Sequence, residues 1–361
     1  MSRSQPPPDV LGARIREKAV EIGFDLVGIG PAGRSRHASE FERWLRDGCA
    51  GEMEWLAREP GRRIDPRRVV EGARSVVSLG LSYYAGEPPD EYWNDPSRGR
   101  IARYAWGRDY HDVLTPMLRE LAGFLRAESG GGATTRYYVD TGPVLERDAA
   151  AEAGIGFYGK NTLLIHPRFG SYLFLAEIIT DLELDVDEPA SEGGAQATGP
   201  TGSCGSCTLC QETCPTHAFP VPYVLDSRLC ISYLTIELRT AIPEVLRPSM
   251  KNWIFGCDEC QSVCPWVRRF AQPREDHFLA FHPDRSTPRL TELMGLDEAG
   301  FRERFRGTPV RRAKRRGLLR NVAVALGNGG DPTARPALER ALKDPEPLIQ
   351  AHAEWALARL P

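Results

Sequence analysis

The sequence has no run of about 18 apolar residues, the least that spans a bilayer as a helix. Its opening, Met1 to Asp9, carries three consecutive prolines and no apolar segment of the kind a secretory signal needs. A soluble, cytoplasmic protein with no membrane partner is therefore expected. Charge of one sign is not in excess either. The chain has 46 Lys and Arg against 49 Asp and Glu, a net charge of −3. It is not polybasic as a whole, and any nucleic-acid surface must be a local patch. The heme-attachment pattern C-x-x-C-H is absent. Cysteine is nearly missing from most of the chain: of nine, only Cys49 lies outside residues 203–266. Disulfide frameworks belong to small secreted domains, so so uneven a distribution in 361 residues excludes one.

The other eight cysteines form two runs. The first, Cys204, Cys207, Cys210 and Cys214 followed by Pro215, is C-x2-C-x2-C-x3-C-P. The second, Cys257, Cys260 and Cys264 followed by Pro265, is the same motif without its first cysteine; Ile254 stands in that place, and Cys230 lies upstream to replace it. Three thiolates on one tight loop reach three irons of a cubane, and the proline turn carries the fourth to another cluster. One [4Fe–4S] cluster is thus expected on Cys204, Cys207, Cys210 and Cys264, and a second on Cys214, Cys230, Cys257 and Cys260. Zinc accepts C-x2-C pairs but gives no reason for the third cysteine or for the repeated C-x3-C-P tail.

The length predicts two or three domains, and 41% hydrophobic residues supply a core. Apolar spacing predicts a helix over 10–22 capped by Asp9, a helix over 38–47, and an amphipathic helix over 111–128. Strands are expected at 24–29, 75–84, 135–140, 162–165 and 172–180, so helices and strands alternate to about residue 186: an α+β fold. Gly28-Ile-Gly30-Pro31-Ala32-Gly33 matches G-x-G-x-x-G, but Pro31 removes an N–H the phosphate cradle would use, and a dinucleotide site is rejected. Residues 187–203 read as a linker. Residues 302–320 hold nine Lys or Arg and one Glu, and Leu318–Leu326 is echoed by Ile349–Leu357, which predicts HEAT-like helical repeats. The preceding domain is larger than a plain ferredoxin needs, so the clusters are expected to feed a redox centre there.

Arg103-Tyr104-Ala-Trp-Gly-Arg-Asp-Tyr-His111, Val139-Asp140-Thr-Gly-Pro-Val-Leu-Glu-Arg147, Gly159-Lys-Asn-Thr-Leu-Leu-Ile165 and Cys230-Ile-Ser-Tyr-Leu-Thr-Ile-Glu237 together resemble the epoxyqueuosine reductase family, in order and over nearly the whole chain. The resemblance implies a cobalamin-dependent oxidoreductase of queuosine biosynthesis that reduces epoxyqueuosine to queuosine at the wobble position of tRNA, its last step. It implies a reductive-dehalogenase-like cobalamin domain at 1–190, a ferredoxin-like two-cluster domain at 201–275 and basic HEAT-like repeats at 285–361. Cobalamin is expected base-off, consistent with the missing D-x-H-x-x-G histidine motif. Asp140 is the implied proton donor. Arg63, Arg103, Tyr104, Asp140, Lys160, His166 and Ser232 are the implied cobalamin contacts, while His111 is read as a local helix-start residue. The implied partners are tRNA, held partly by 302–320, and an external electron donor; a monomer is expected. The weaker readings are a dehalogenase-like reductase of a small molecule and an electron-transfer protein without a substrate.

Overall fold

The computed structural model describes residues 6–189, 202–273 and 280–361, so most of the expected linker lies outside the described residues. Four strands form the central sheet: β1 (Leu26–Pro31), β2 (Ser75–Ser82), β3 (Thr135–Tyr138) and β4 (Leu173–Thr180). Their spatial order is β1-β2-β4-β3, and every neighbouring pair is antiparallel. β2 is buried at all eight positions. That is why its sequence reads as a continuous apolar and small run instead of alternating: both faces of the sheet are covered.

One face takes α1 (Pro8–Ile22) and α2 (Tyr110–Glu128). Leu11, Ile15 and Ala19 from α1 and Leu114, Leu118, Leu121 and Leu125 from α2 recur at helical spacing and pack with Val77, Leu79, Ala176 and Ile178. Each leucine buried there contributes roughly 1.5–3 kcal/mol. α1 begins differently from expectation. Pro7, not Asp9, is its N-cap, and Pro8 starts the helix with φ already suited to it. The opposite face takes α3 (Glu146–Glu152). A Cβ on Gly28 would lie 2.0 Å from the carbonyl oxygen of Ala153, just past α3. The glycines of β1 thus serve a helix–sheet contact.

The cysteine-rich segment is stitched to this domain. Trp253–Phe255 pairs in parallel with Arg100–Ile101. Arg103, 1% exposed, donates to Glu87, Tyr172, Asp258 and Ser262, tying both segments together. Beyond it, α4 (Ile231–Ile236) follows Cys230, and α5 (Lys314–Gly329), α6 (Arg335–Ala341) and α7 (Pro347–Leu357) pack around Leu318, Leu319, Val322, Leu338, Ile349 and Ala353.

The basic run 302–320 does not present all its charges to solvent. Arg320 is fully buried and donates to the carbonyl of Leu234 in the last turn of α4 and to those of Leu238 and Thr240 in the segment that follows. Arg315 is paired with Asp344, Arg302 with Glu298 and Arg306 with Glu303. Arg302 and Arg306 stay exposed despite their pairs, as do Arg311, Lys314 and Arg316, the last of which lies 3.6 Å from Glu346.

Candidate active site

Asp140 follows β3 in a left-handed conformation, φ 48°, held by a tight turn in which Thr141 N–H meets the Val139 carbonyl at 2.6 Å. Gly142 is required by this turn: a Cβ there would stand 2.2 Å from the Tyr138 ring. Arg63 clamps the same loop, donating to the Gly142 carbonyl at 3.1 Å while its guanidinium lies over Trp55.

The Asp140 carboxyl meets the first turn of α2. Oδ1 lies 2.9 Å from His111 Nε2, and Oδ2 accepts from the Tyr110 hydroxyl. His111 Nδ1 sits 2.7 Å from Oδ1 of Asp109, which also caps α2. Arg312 closes the set from the C-terminal region, 3.4 Å from Asp140 Oδ1 and 3.3 Å from the Tyr110 hydroxyl. Tyr110 is fixed by stacking on Phe174, and Tyr104 lies edge-on to Tyr110 and beside Phe255.

These contacts set the charges. Burial alone would raise the Asp140 pKa, but the His111 hydrogen bond, the Arg312 charge and the Tyr110 hydroxyl hold it below the ordinary carboxylate value. Burial opposes the charge on His111, yet Asp109 and Asp140 together push its pKa up to about 9. At neutral pH the proton therefore rests on His111 and Asp140 is ionised. His111, expected to serve only its own helix start, meets the Asp140 carboxyl directly. Its pattern was visible in Asp109-Tyr110-His111. What was missing was the fold: β3 returns antiparallel to α2 after a short loop, bringing the end of one to the start of the other.

The cysteines gather in two adjacent sets. Cys210 lies with Cys204, Cys207 and Cys264; Cys257 and Cys260 lie with Cys230, and Cys214 joins Cys230 and Cys260. Cys260 also neighbours Cys210, so the sets adjoin. The first set borders a cavity of about 330 Å³ that Lys160, Trp266 and Phe270 also line. Burial, reinforced by neighbouring thiols, pushes Cys210 up to about 11; iron reverses that balance, because a coordinating thiol is deprotonated.

The remaining expected contacts are dispersed. Lys160 Nζ donates to the carbonyls of Gly205 and Cys207, and its N–H faces Cys204 Sγ at 3.4 Å, so it braces a cysteine loop. Arg103 is engaged by protein partners and joins two segments. His166 is buried; its Nδ1 accepts from the Arg168 N–H, and burial, then the Arg168 charge, lower its pKa to about 4. Ser232 lies in the first turn of α4, two residues after Cys230. Cys49 is a free, half-buried thiol.

Residues 63–141 match the family profile described as epoxyqueuosine reductase QueG, DUF1730, and residues 203–267 match a 4Fe-4S double cluster binding domain. The chain is 41% identical to an epoxyqueuosine reductase of Pseudomonas aeruginosa over 99% of its own length and 96% of the relative's. With the Escherichia coli enzyme of the same name the identity is 39%, over 97% and 89%. Among solved structures, an epoxyqueuosine reductase with an epoxyqueuosine-modified tRNA-Tyr stem loop matches at TM-score 0.86 and 31% identity, covering 97% of this chain and 90% of that one. The Bacillus subtilis enzyme, seen with its aspartate catalytic loop swung out of the active site, matches at TM-score 0.85 and 30% identity, with the same coverage.

Proposed function

The chain belongs to the epoxyqueuosine reductase family, and on that footing we propose that it reduces epoxyqueuosine in the wobble position of a cytoplasmic tRNA to queuosine. The observation that carries this reading is the convergence of Asp140, His111, Tyr110 and Arg312. A plain electron-transfer protein has no use for such a proton-holding set.

Reducing an epoxide to an alkene breaks two C–O bonds. It takes two electrons and two protons and releases the oxygen as water. His111 holds a proton at neutral pH and Asp140, its hydrogen-bond partner, is the group through which that proton reaches the leaving oxygen. Arg312 supplies positive charge beside the oxygen, where negative charge develops. The exposed Arg311, Lys314 and Arg316 lie close in sequence to Arg312, so tRNA phosphates held there bring the modified base towards Asp140.

The electrons require cofactors. Two [4Fe–4S] clusters are assigned to Cys204, Cys207, Cys210 and Cys264, and to Cys214, Cys230, Cys257 and Cys260; the adjoining cysteine sets suit electron passage from an external donor. Cobalamin, when bound, supplies the reducing electrons at the epoxide. The residues fit a group that takes no protein nitrogen below the metal: both ring nitrogens of His111 are engaged by carboxylates, and His166 is buried with Nδ1 satisfied. Tyr104, the partly exposed ring packed on buried Tyr110 and Phe255, offers an apolar face near Asp140. Tyr104, Asp140, Arg63, His166 and Ser232 stand as the proposed contacts, with Arg103 and Lys160 bracing from behind. On this reading residues 1–190 bind cobalamin, 201–275 hold the clusters, and the HEAT-like helices of 285–361 carry the tRNA surface of a monomer. The test is anaerobic reconstitution with iron, sulfide and cobalamin, followed by turnover on epoxide-bearing tRNA. Conversion supports the reading; reduction of small halogenated or epoxide compounds with inert tRNA refutes it.

A further inference from the structure

Behind Asp140 lies a buried acidic pair that the reaction as described does not use. Glu177 is in the middle of β4, fully buried, and neither of its carboxyl oxygens has a hydrogen-bond partner. Ser78, directly across on β2, likewise leaves its hydroxyl unpartnered. Glu146, the first residue of α3, has Oε1 buried without a partner and takes a backbone hydrogen bond from Asp140. An unpaired carboxylate in such a place costs several kcal/mol, and two neighbouring ones do not both ionise. Burial first, then the charge of neighbouring acids, pushes both carboxyls upward; Glu146 feels Asp140 in that sense, while Arg147 and Arg63 oppose it.

We propose that Glu146 and Glu177 form a proton-holding carboxyl pair that recharges Asp140 within each turnover. This rests on the epoxide-reduction reading. Two protons are consumed per epoxide and the Asp140–His111 set holds one, which leaves the second to a separate store. The external donor's two electrons enter through the clusters, the first proton comes from His111 by way of Asp140, and the second from the carboxyl pair by way of Asp140. Oxygen leaves as water, the C=C bond forms, and solvent reloads both proton stores afterwards. Glu146 and Glu177 are positioning and supply residues acting through Asp140; neither need touch the tRNA.

Infrared spectroscopy of the purified holoprotein tests the resting state without substrate. The carbonyl stretch of a buried protonated carboxylic acid should be present at neutral pH and vanish in the double variant Glu146→Gln/Glu177→Gln. Gln keeps the shape and the acceptor for the Asp140 N–H, so the fold, cluster content and cobalamin loading should stay. Turnover in either single variant should fall roughly a hundredfold, and a small weak acid added to the buffer should restore part of it by protonating Asp140 from solvent. An infrared spectrum without that band, wild-type turnover in the variants, or a loss that no added acid rescues would each overturn the proposal. Wild-type protein that shows the band but leaves epoxide-bearing tRNA untouched would refute the parent reading instead.

Discussion

His111 Nε2 lies 2.9 Å from Asp140 Oδ1, with the far side of the same imidazole 2.7 Å from Asp109. His111, between two carboxylates, is a cation at neutral pH, so the site's mobile proton is held one hydrogen bond away from Asp140. The arrangement also fixes the sign of its pH dependence. His111 is raised above its unfolded value of about 6.5, so its stabilising pairings are fully present below that pH and are lost as pH rises through about 9.

Turnover by pre-reduced enzyme should therefore fall as pH rises through about 9, where His111 gives up its proton. His111→Gln should be slower and lack that decline. A wild-type profile that instead falls near pH 6.5 would mean His111 is not raised in the working enzyme.

Cys230→Ser should halve the iron of the anaerobic protein, from about eight atoms to about four, because it removes one ligand of a single four-iron cluster. The surviving cluster should keep its EPR signal on reduction. Two intact clusters in this variant would require a different ligand for the second site.

The basic stretch should divide into two kinds of arginine. Arg311→Glu, Lys314→Glu and Arg316→Glu together should weaken tRNA binding and flatten its salt dependence by up to about three units of slope. Arg320→Met should leave three carbonyls in and just after α4 without their donor and destabilise the fold by about 3 kcal/mol. Equal melting temperatures for Arg320→Met and wild type would contradict the buried role.

The Co(II) EPR spectrum of reconstituted protein should show no nitrogen superhyperfine splitting from an axial ligand, since His111 is engaged at both ring nitrogens. Such splitting would show that a protein nitrogen does reach the cobalt.

The cluster cysteines were legible because ligand spacing within one loop is a local property, and so were α2, β2 and the strand leading to Asp140. The sense in which Arg320 works was not legible. A basic run looks alike whether its members face water or cap a buried helix end, and only the position of α4 against α5 decides. The same holds for Glu177. Its place in an apolar strand hinted at burial, but its lack of any partner depends on Ser78 and α3 meeting it across the sheet. Asp140 was singled out by resemblance, whereas its charge state follows from the His111 hydrogen bond and then from Arg312, 172 residues away.

The most direct test is turnover of epoxide-bearing tRNA by Asp140→Asn, read by mass spectrometry as loss of one oxygen from the modified nucleoside. Asn fits the same turn and still meets Tyr110, but it cannot pass on a carboxyl proton. The variant should fold, load both clusters and cobalamin, bind tRNA, and lose at least about 99% of turnover. Near wild-type conversion by a fully loaded Asp140→Asn protein would contradict the account.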